Sequence, residues 1–293
     1  MAPGYGGAVT VLEVIQRSAE FLGRKGVESP RLQVELLLAH LLQLPRLQLY
    51  LNFERPLTEP ELDAVRELVR RRGQREPLQH LTGVAPFCDL ELCVTADTLV
   101  PRPETEVLAE HAWTWLGRRD LPAPRILDFG TGTGCLAICL ARQCPDARIT
   151  AIDVSPAALR IARQNAERHQ VSDRIEFVEV DGLKAEFPAG AFDLLVANPP
   201  YLESGSIATL EPEVRDHDPR LALDGGPDGL DFMRRLAMAH DWLTEGGRIL
   251  VEFGDGQDEA VRGLFGGGAW VDADVLPDLS GRARIFVAAR GRK

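Results

Sequence analysis

Apolar residues recur at helical spacing in the first quarter of the chain. One such run covers residues 11–22 and predicts a helix. A second helix is predicted to begin at Ser29 and Pro30, because serine caps helices and proline suits their first turn. A third is predicted from Thr58, which opens a Thr-x-x-Glu capping box. This region holds no cluster of catalytic side chains, so we predict a small helical domain, residues 1–76, that packs or binds a partner.

The pattern changes in the next segment, where apolar residues lie in short runs separated by turn formers. Between Pro86 and Pro103 these runs are typical of extended segments. We therefore predict a linker, residues 77–103, that contains a β-hairpin. Pro103 and the two glutamates after it suit the first turn of a helix that continues over residues 107–116.

Strands and helices alternate through the rest of the chain, residues 104–293. The alternation is typical of an α/β fold, with a mostly parallel sheet and helices on both faces. A long polar connection, residues 202–226, interrupts it. The predicted strands, seven in all, are 125–129, 148–152, 174–180, 192–197, 248–253, 270–275 and 283–289, and the predicted helices are 135–142, 155–169, 229–243 and 257–265.

A glycine-rich turn follows the first predicted strand of this sheet, with the sequence Gly130-Thr131-Gly132-Thr133-Gly134. Glycine allows a sharp turn and the close approach of a ligand. The Gly-x-Gly-x-Gly spacing differs from the Gly-x-Gly-x-x-Gly of dinucleotide sites, and no Lys-Ser/Thr pair follows as in a phosphate-binding P-loop. Taken alone, the turn is compatible with a dinucleotide, a nucleoside cofactor or no ligand.

Acidic residues at the strand ends favour one of these possibilities, a nucleoside cofactor. Asp153 ends the second strand, where a carboxylate can accept hydrogen bonds from both ribose hydroxyls of a nucleoside. Asp181, followed by Gly182, ends the third strand, near the expected place of an adenine. Asp128 disfavours a pyrophosphate by its charge and suits the cationic amino acid end of S-adenosylmethionine. Features at four successive strand ends therefore predict a site for this methyl donor, with Asn198 at the fourth.

The sequence Asn198-Pro199-Pro200-Tyr201 follows a buried apolar run. The prolines stop that strand, because proline donates no backbone hydrogen bond and fixes φ. Asn198 is then expected at the carboxyl edge of the sheet, where open α/β folds bind ligands. Its carboxamide offers a donor and an acceptor, and Tyr201 adds an aromatic face. The set suits a planar amide or amine, although an ordinary turn uses the same residue types.

Charge and cysteine usage narrow the functional classes. The net charge of −11 weighs against a protein that coats nucleic acid, so we expect no direct nucleic acid partner and interpret Arg70-Arg71-Arg72 as a solvated helix end. Five cysteines without metal-ligand spacing predict no metal site and a reducing, cytoplasmic setting. The most apolar stretch, residues 36–51, is too interrupted to span a membrane.

The N-terminus and the oligomeric state complete these expectations. Residues 1 to about 8 are rich in glycine and are predicted to be disordered. Residues 1–11 lack a basic region followed by an apolar stretch, so no signal peptide is expected. We expect a monomer.

The glycine turn and the strand-end acids resemble those of class I S-adenosylmethionine-dependent methyltransferases. With Asn198-Pro-Pro-Tyr added, the chain is similar to the protein N5-glutamine methyltransferases that act on peptide chain release factors. The similarity runs from about residue 10 to the end, and it includes residues 77–83, 101–106 and 213–230. Two positions depart from the family: Asp218 stands where glutamate is commoner, and Gly182 where an aromatic residue stacks on adenine, so that Leu183 is an alternative contact.

The resemblance implies the fold, the reaction and the partner. It implies a Rossmann-like methyltransferase domain and methyl transfer to the side-chain amide nitrogen of the glutamine in the Gly-Gly-Gln motif of class 1 release factors. It further implies that Asn198 and the Pro199 carbonyl accept the two N–H bonds of that amide and that Tyr201 packs against its plane, with Pro200 completing the substrate site. The segment 100–106 and the connection 202–226 are expected to wall the substrate pocket.

Three other functions share parts of this pattern. A glutamine methyltransferase of ribosomal protein L3 would carry the same catalytic residues. A DNA adenine-N6 methyltransferase uses the same Asn-Pro-Pro-Tyr logic on a flipped base, but the acidic composition and the lack of a basic recognition domain weigh against it. A cofactor-binding scaffold without activity is disfavoured by the intact asparagine and glycines.

Overall fold

The computed structural model describes residues 9–292. The predicted disorder of residues 1–8 therefore concerns a segment outside the described residues, and most of the stretch considered for a signal peptide lies there too. The chain forms two compact units, one made of residues up to 83 together with 212–217, the other of residues 84–211 and 218 to the end. Within the described range, every helix falls short of the length and apolar character needed to cross a membrane.

The first unit consists of packed helices, as the apolar spacing predicts. Capping boxes open two of them, at Thr10 with Glu13 and at Thr58 with Glu61. The predicted cap at Ser29 is wrong, because Ser29 adopts a left-handed conformation (φ 45°) and its side chain makes no capping bond. The helices are α1 (Val11–Arg24), α2 (Pro30–Leu42), α3 (Arg46–Leu51), α4 (Glu59–Gly73) and α5 (Leu78–Thr82), with a short unlabelled helix at Pro212–Arg215.

The interpretation of the arginine cluster as a solvated helix end is wrong for Arg72. This side chain is buried and donates hydrogen bonds to Gln33 Oε1 (2.5 Å) and to Glu213 Oε1 (2.8 Å). Arg75 contacts the other Glu213 oxygen at 2.5 Å. Burial opposes the charge of Glu213, but the hydrogen bonds from the two arginines outweigh it and lower the pKa of this carboxyl.

The second unit begins with the predicted hairpin, β1 (Val84–Phe87) and β2 (Leu90–Cys93), which pair in antiparallel fashion. The buried side chain of Asn165 fixes its end. Asn165 accepts a hydrogen bond from Cys93 N (2.7 Å) and donates to Cys93 O (3.0 Å). The hairpin is thereby attached to the helix that carries Asn165.

A seven-stranded sheet forms the centre of the second unit, in the order β5-β4-β3-β6-β7-β9-β8. All neighbouring pairs are parallel except those of β9, which runs antiparallel to β7 and β8. The mostly parallel sheet was therefore predicted correctly. Its strands are β3 (Arg125–Phe129), β4 (Arg148–Asp153), β5 (Ile175–Glu179), β6 (Phe192–Ala197), β7 (Leu243–Glu252), β8 (Trp270–Pro277) and β9 (Ala283–Arg290).

Helices cover both faces of this sheet. The central strand β6 is buried along its whole length, as expected for a strand packed on both sides. The helix predicted over residues 229–243 is much shorter and is followed by a 3-10 turn, Ala239–Trp242, because β7 already begins at Leu243. The α-helices of this unit are α6 (Pro103–Gly117), α7 (Cys135–Gln143), α8 (Pro156–Arg168), α9 (Asp231–Ala237) and α10 (Asp258–Leu264).

Candidate active site

A cavity lies at the carboxyl ends of β3, β4, β5 and β6. This is the edge at which open α/β sheets bind ligands. Residues predicted from each of the four strand ends meet there, although they come from distant parts of the chain. From the predicted set, the cavity lining includes Gly130, Gly132, Asp153, Asp181, Gly182, Asn198 and Pro200.

The glycine turn presents two of its glycines to the cavity. Gly130 and Gly132 have positive φ values of 76° and 55°, and a Cβ built on either residue meets no atom within 4 Å. Their backbone is therefore open to a ligand that approaches closely. Gly134 instead packs α7 against α8, since its Cβ would lie 3.2 Å from the Ala162 Cβ. Thr131 and Thr133 are buried behind the turn.

Asp128 holds this turn from behind. It is fully buried, and its Oδ2 accepts hydrogen bonds from the Thr131 hydroxyl (2.6 Å) and from Ala137 N at the start of α7 (3.1 Å). Burial raises the pKa of Asp128 to about 7. The structure thus places this carboxyl in the support of the loop, and its role beside the amino acid end of a cofactor stays a prediction.

Asp153 links the turn to the next strand end and still faces the cavity. Its Oδ2 accepts a hydrogen bond from Gly132 N and its Oδ1 one from Ser155 N, both at 2.9 Å. Each carboxylate oxygen can accept more than one bond, so both retain capacity for vicinal hydroxyls. Burial raises the pKa of Asp153.

Two aromatic side chains that the sequence analysis did not single out also line the cavity. Phe129 and Phe232 line it, with ring centroids 6.3 Å apart and their planes nearly perpendicular. Gly182 lies directly against the Phe129 ring, and a Cβ there would collide with it. Asp181 is held at the rim by Lys184 (2.7 Å). Leu183, the alternative contact, is 41% exposed.

The Asn-Pro-Pro-Tyr turn is bound to a buried carboxylate. Asn198 Nδ2 donates to Thr105 Oγ1 (2.9 Å), and the Thr105 hydroxyl donates to Glu252 Oε2 (2.7 Å). The Tyr201 hydroxyl donates to the other oxygen of the same carboxylate, Oε1 (3.3 Å). The two polar side chains of the turn therefore share one anchor.

Glu252 is the feature of this site that the sequence reasoning missed most clearly. Only 1% of the residue is exposed, and burial raises the pKa of Glu252 to about 7. Burying a carboxylate costs on the order of several kcal/mol, so its hydrogen bonds are required to hold it there. An acidic residue at the end of a predicted buried strand was an available signal. The register confirms the proximity, because Ala197 pairs with Val251, and Asn198 and Glu252 follow them directly.

Backbone contacts fix the shape of the turn. Gln257 Nε2 donates to the Tyr201 carbonyl oxygen (3.0 Å), while Gln257 Oε1 accepts from Gly254 N (2.8 Å). Gly225 and Gly229 pack so closely that an added Cβ on Gly225 would lie 2.8 Å from the Pro200 carbonyl oxygen, and one on Gly229 would collide with that of Tyr201. Gly225 and Gly229 thus pack directly on the turn, and neither position has room for a side chain.

Two further segments contribute to the cavity lining. Residues 97–99 lie next to the segment 100–106 expected to wall a substrate pocket. Pro219, Leu221 and Ala222 lie within the other expected segment, the connection 202–226. Arg102 donates to Asp218 Oδ2 (2.7 Å) and so connects the two segments. Aspartate at position 218 is sufficient for this ion pair.

Comparison with known proteins agrees with this arrangement. The family model for the PrmC N-terminal domain matches residues 13–83, and that for the methyltransferase small domain matches residues 105–213. A release factor glutamine methyltransferase of Geobacter sulfurreducens is 43% identical over 277 residues, which cover 94% of this chain and 95% of that protein. The chain belongs to the release factor glutamine methyltransferase family. Its counterpart in Chlorobaculum tepidum is 46% identical over 92% of this chain and 94% of that protein.

The solved structures support the fold of this family member. A methyltransferase from Pyrococcus furiosus superposes with a TM-score of 0.53 and 18% identity, covering 76% of this chain and 99% of that one. The predicted class I methyltransferase fold is therefore confirmed.

Proposed function

We infer that the protein transfers a methyl group from S-adenosylmethionine to the side-chain amide nitrogen of the glutamine in the Gly-Gly-Gln motif of class 1 peptide chain release factors. The observation that carries this conclusion is the position of Asn198. Asn198 lines the cavity at the carboxyl ends of the strands, and its NH2 group is already bonded to Thr105. The Oδ1 acceptor is left for an amide N–H of the substrate.

The residues around the cavity fit S-adenosylmethionine. The open backbone of Gly130 and Gly132 would hold the amino acid portion, and the two oxygens of Asp153 the ribose hydroxyls. Asp181 and the Phe129 ring would contact the adenine, with Gly182 keeping the space beside that ring narrow. When bound, the cofactor supplies an activated methyl group on a sulfonium.

The protein contributes orientation and charge placement to the reaction. An amide nitrogen is a weak nucleophile because its lone pair is delocalised into the carbonyl group. Asn198 Oδ1 and the Pro199 carbonyl oxygen would accept its two N–H bonds and align the nitrogen with the methyl carbon. As the N–C bond formed and the C–S bond of the donor broke, positive charge would develop on the nitrogen. That charge would strengthen the hydrogen bonds from the nitrogen to Asn198 Oδ1 and to the Pro199 carbonyl oxygen. The nitrogen then loses one proton to water.

The rigid turn makes this alignment possible. Pro199 and Pro200 fix the backbone directly after β6, and Gln257 holds the Tyr201 carbonyl. Tyr201 would pack against the plane of the substrate amide. Burial and the nearby Glu252 charge raise the pKa of Tyr201, so its hydroxyl remains a donor to Glu252.

We assign partner binding to the helical residues 1–76, with residues 77–103 as linker and 104–293 as the methyltransferase domain. Of the described residues of the first unit, 9–83 and 212–217, none lines the cavity, which supports a role outside the chemistry. The five free cysteines fit a reducing, cytoplasmic setting, and we propose that the protein works as a monomer.

The choice of acceptor is tested by offering each candidate separately. Purified protein is incubated with radiolabelled S-adenosylmethionine and a release factor, a ribosomal protein mixture, or duplex DNA. We expect label on the release factor alone. Label on ribosomal protein L3 or on adenine would overturn the assignment of the acceptor, and no label on any of them would overturn the reaction.

A further inference from the structure

The hydrogen bonds around Thr105 have only one possible direction when Glu252 is ionised. A carboxylate accepts but cannot donate, so the single hydroxyl hydrogen of Thr105 is committed to Glu252 Oε2. The Thr105 oxygen can then only accept. The carboxamide of Asn198 must therefore turn its NH2 group toward Thr105, as observed.

The opposite end of the Asn198 carboxamide is consequently an acceptor. Among residues 9–292, no group donates a hydrogen bond to Asn198 Oδ1. A carboxamide rotated by half a turn would present its NH2 group to the substrate instead. Two N–H donors would then face each other, and the substrate nitrogen would lose the bond that aligns it.

We propose that Glu252 is a positioning residue that acts through Thr105 to fix the orientation of the Asn198 carboxamide for methyl transfer. The proposal rests on the proposed function, since it concerns the same amide acceptor. It goes beyond that function by assigning a task to two residues that lie outside the Asn-Pro-Pro-Tyr turn, one in the first turn of α6 and one at the end of β7.

Several charged groups act on Glu252, and they determine how it titrates. Arg284 on β9 favours the ionised form, whereas Glu104 on α6 disfavours it. Tyr201 donates a hydrogen bond to it, and the Cys135 thiol on α7 is a further neighbour whose own pKa is raised to about 12. With burial, these influences leave the pKa of Glu252 at about 7. Below that pH the protonated carboxyl can donate, and the direction of the Thr105 bond is no longer fixed.

The first test compares variants of Thr105 with a control variant of Thr244. Thr105→Val removes the hydroxyl while keeping the shape, and we expect kcat to fall by roughly 10- to 100-fold with cofactor affinity within about twofold. Thr105→Ser keeps the hydroxyl and should restore most of the rate. Thr244→Val is the matched control, because the Thr244 hydroxyl also donates to a buried carboxylate, Asp193, at the opposite edge of the sheet (3.1 Å). It should leave kcat unchanged.

The second test uses the pH profile, which a merely structural role would not move. Wild-type kcat should rise with pH through an apparent pKa near 7, because the ionised form of Glu252 is the active one. Glu252→Gln should lower kcat and abolish that dependence. If wild type methylates a release factor but Thr105→Val is equally fast, or Glu252→Gln keeps the same profile, the positioning role is wrong. A wild-type protein without methylation would instead overturn the proposed function.

Discussion

Asn198 is held by a threonine 93 positions earlier in the chain and, through it, by a glutamate that ends the neighbouring strand. The sequence predicted Asn198 because prolines mark the end of a buried strand. Thr105 offered no comparable signal, since a threonine in a first helical turn is ordinary. Its task depends on which strand end α6 faces, and that is a property of the folded chain.

The acidic residues at the strand ends likewise include one whose position was predictable from the sequence and one whose role depends on the folded chain. Asp153 faces the cavity as expected, whereas Asp128 supports the glycine turn from behind. Asp153 is the last residue of its parallel strand and Asp128 the last but one, so sequence position alone could not separate their roles. The side chains of successive strand residues point to opposite faces of the sheet, and the turn after the strand decides which residue reaches the ligand.

Removal of the Asp153 carboxylate should weaken cofactor binding selectively. In the proposed binding mode, Asp153→Ala would lose the acceptors for both ribose hydroxyls, and it also loses the bond from Gly132 N. We therefore expect the Kd for S-adenosylmethionine to rise by roughly 10- to 100-fold, because hydrogen bonds to charged groups are worth about 1.5–3 kcal/mol. Titration calorimetry measures this. Asp146→Ala, at an exposed position of the same domain, is the control and should bind normally. Equal affinity for all three proteins would contradict the ribose assignment.

Among the secondary-structure elements, strand pairing determined where a predicted helix ends, because local propensity left that boundary ambiguous. The helical pattern over residues 229–243 continues to the start of β7, but the helix ends at Ala237. There the Trp270 indole donates to the Ala237 carbonyl oxygen (2.8 Å), and Leu243 pairs with Phe192 in the sheet. Tertiary contacts of this kind override helix propensity, and they are not visible in a local window.

The close packing of Gly229 on the Asn-Pro-Pro-Tyr turn predicts that turnover is sensitive to a larger residue at position 229. Gly229→Ala would place a methyl group against the Tyr201 carbonyl oxygen and shift the turn, so kcat should fall roughly tenfold or more. Gly246→Ala is a matched control, because both glycines have φ +72° and a Cβ at Gly246 meets nothing within 4 Å. Both variants bear the strain of positive φ, about 1–2 kcal/mol.

The measurements for this pair are steady-state methylation and thermal unfolding. A larger loss of thermal stability in Gly229→Ala than in Gly246→Ala, with a loss of turnover only in Gly229→Ala, would support the packing argument. If the two variants lose turnover equally, backbone strain alone explains the effect and the contact with the turn is unimportant.

At the scale of the whole molecule, the chain crosses between its units in a way that the sequence pattern does not reveal. Residues 212–217 belong to the helical unit, where Glu213 pairs with Arg72 and Arg75. The contact joins residues 141 positions apart, so the polar connection 202–226 looked like one continuous loop. The fold class was predictable because the alternation of strands and helices and the chemistry of the strand ends recur along the chain. The ion-pair cluster around Glu213 occurs once and leaves no such pattern in the sequence.

If the helical unit binds the release factor, we expect its exposed apolar side chains on α3 to form the contact surface. Leu47 and Leu51 on α3 are 76% and 84% exposed, one turn apart. Replacing both with alanine should raise the KM for the release factor several-fold and leave kcat and the KM for the cofactor unchanged. Leu279→Ala removes an equally exposed leucine (85%) from the other unit and serves as control. An unchanged KM for the release factor would rule out this face as the contact.

In the proposed mechanism, Asn198 directs methyl transfer to a glutamine side chain of a release factor. Tandem mass spectrometry of a release factor incubated with the protein and S-adenosylmethionine tests it most directly. Wild type should place one methyl group on the side-chain nitrogen of the glutamine in the Gly-Gly-Gln motif. Asn198→Ala should reduce the rate by at least roughly 100-fold while the protein still binds the cofactor. Methylation at another residue, or an undiminished rate in Asn198→Ala, would contradict the account.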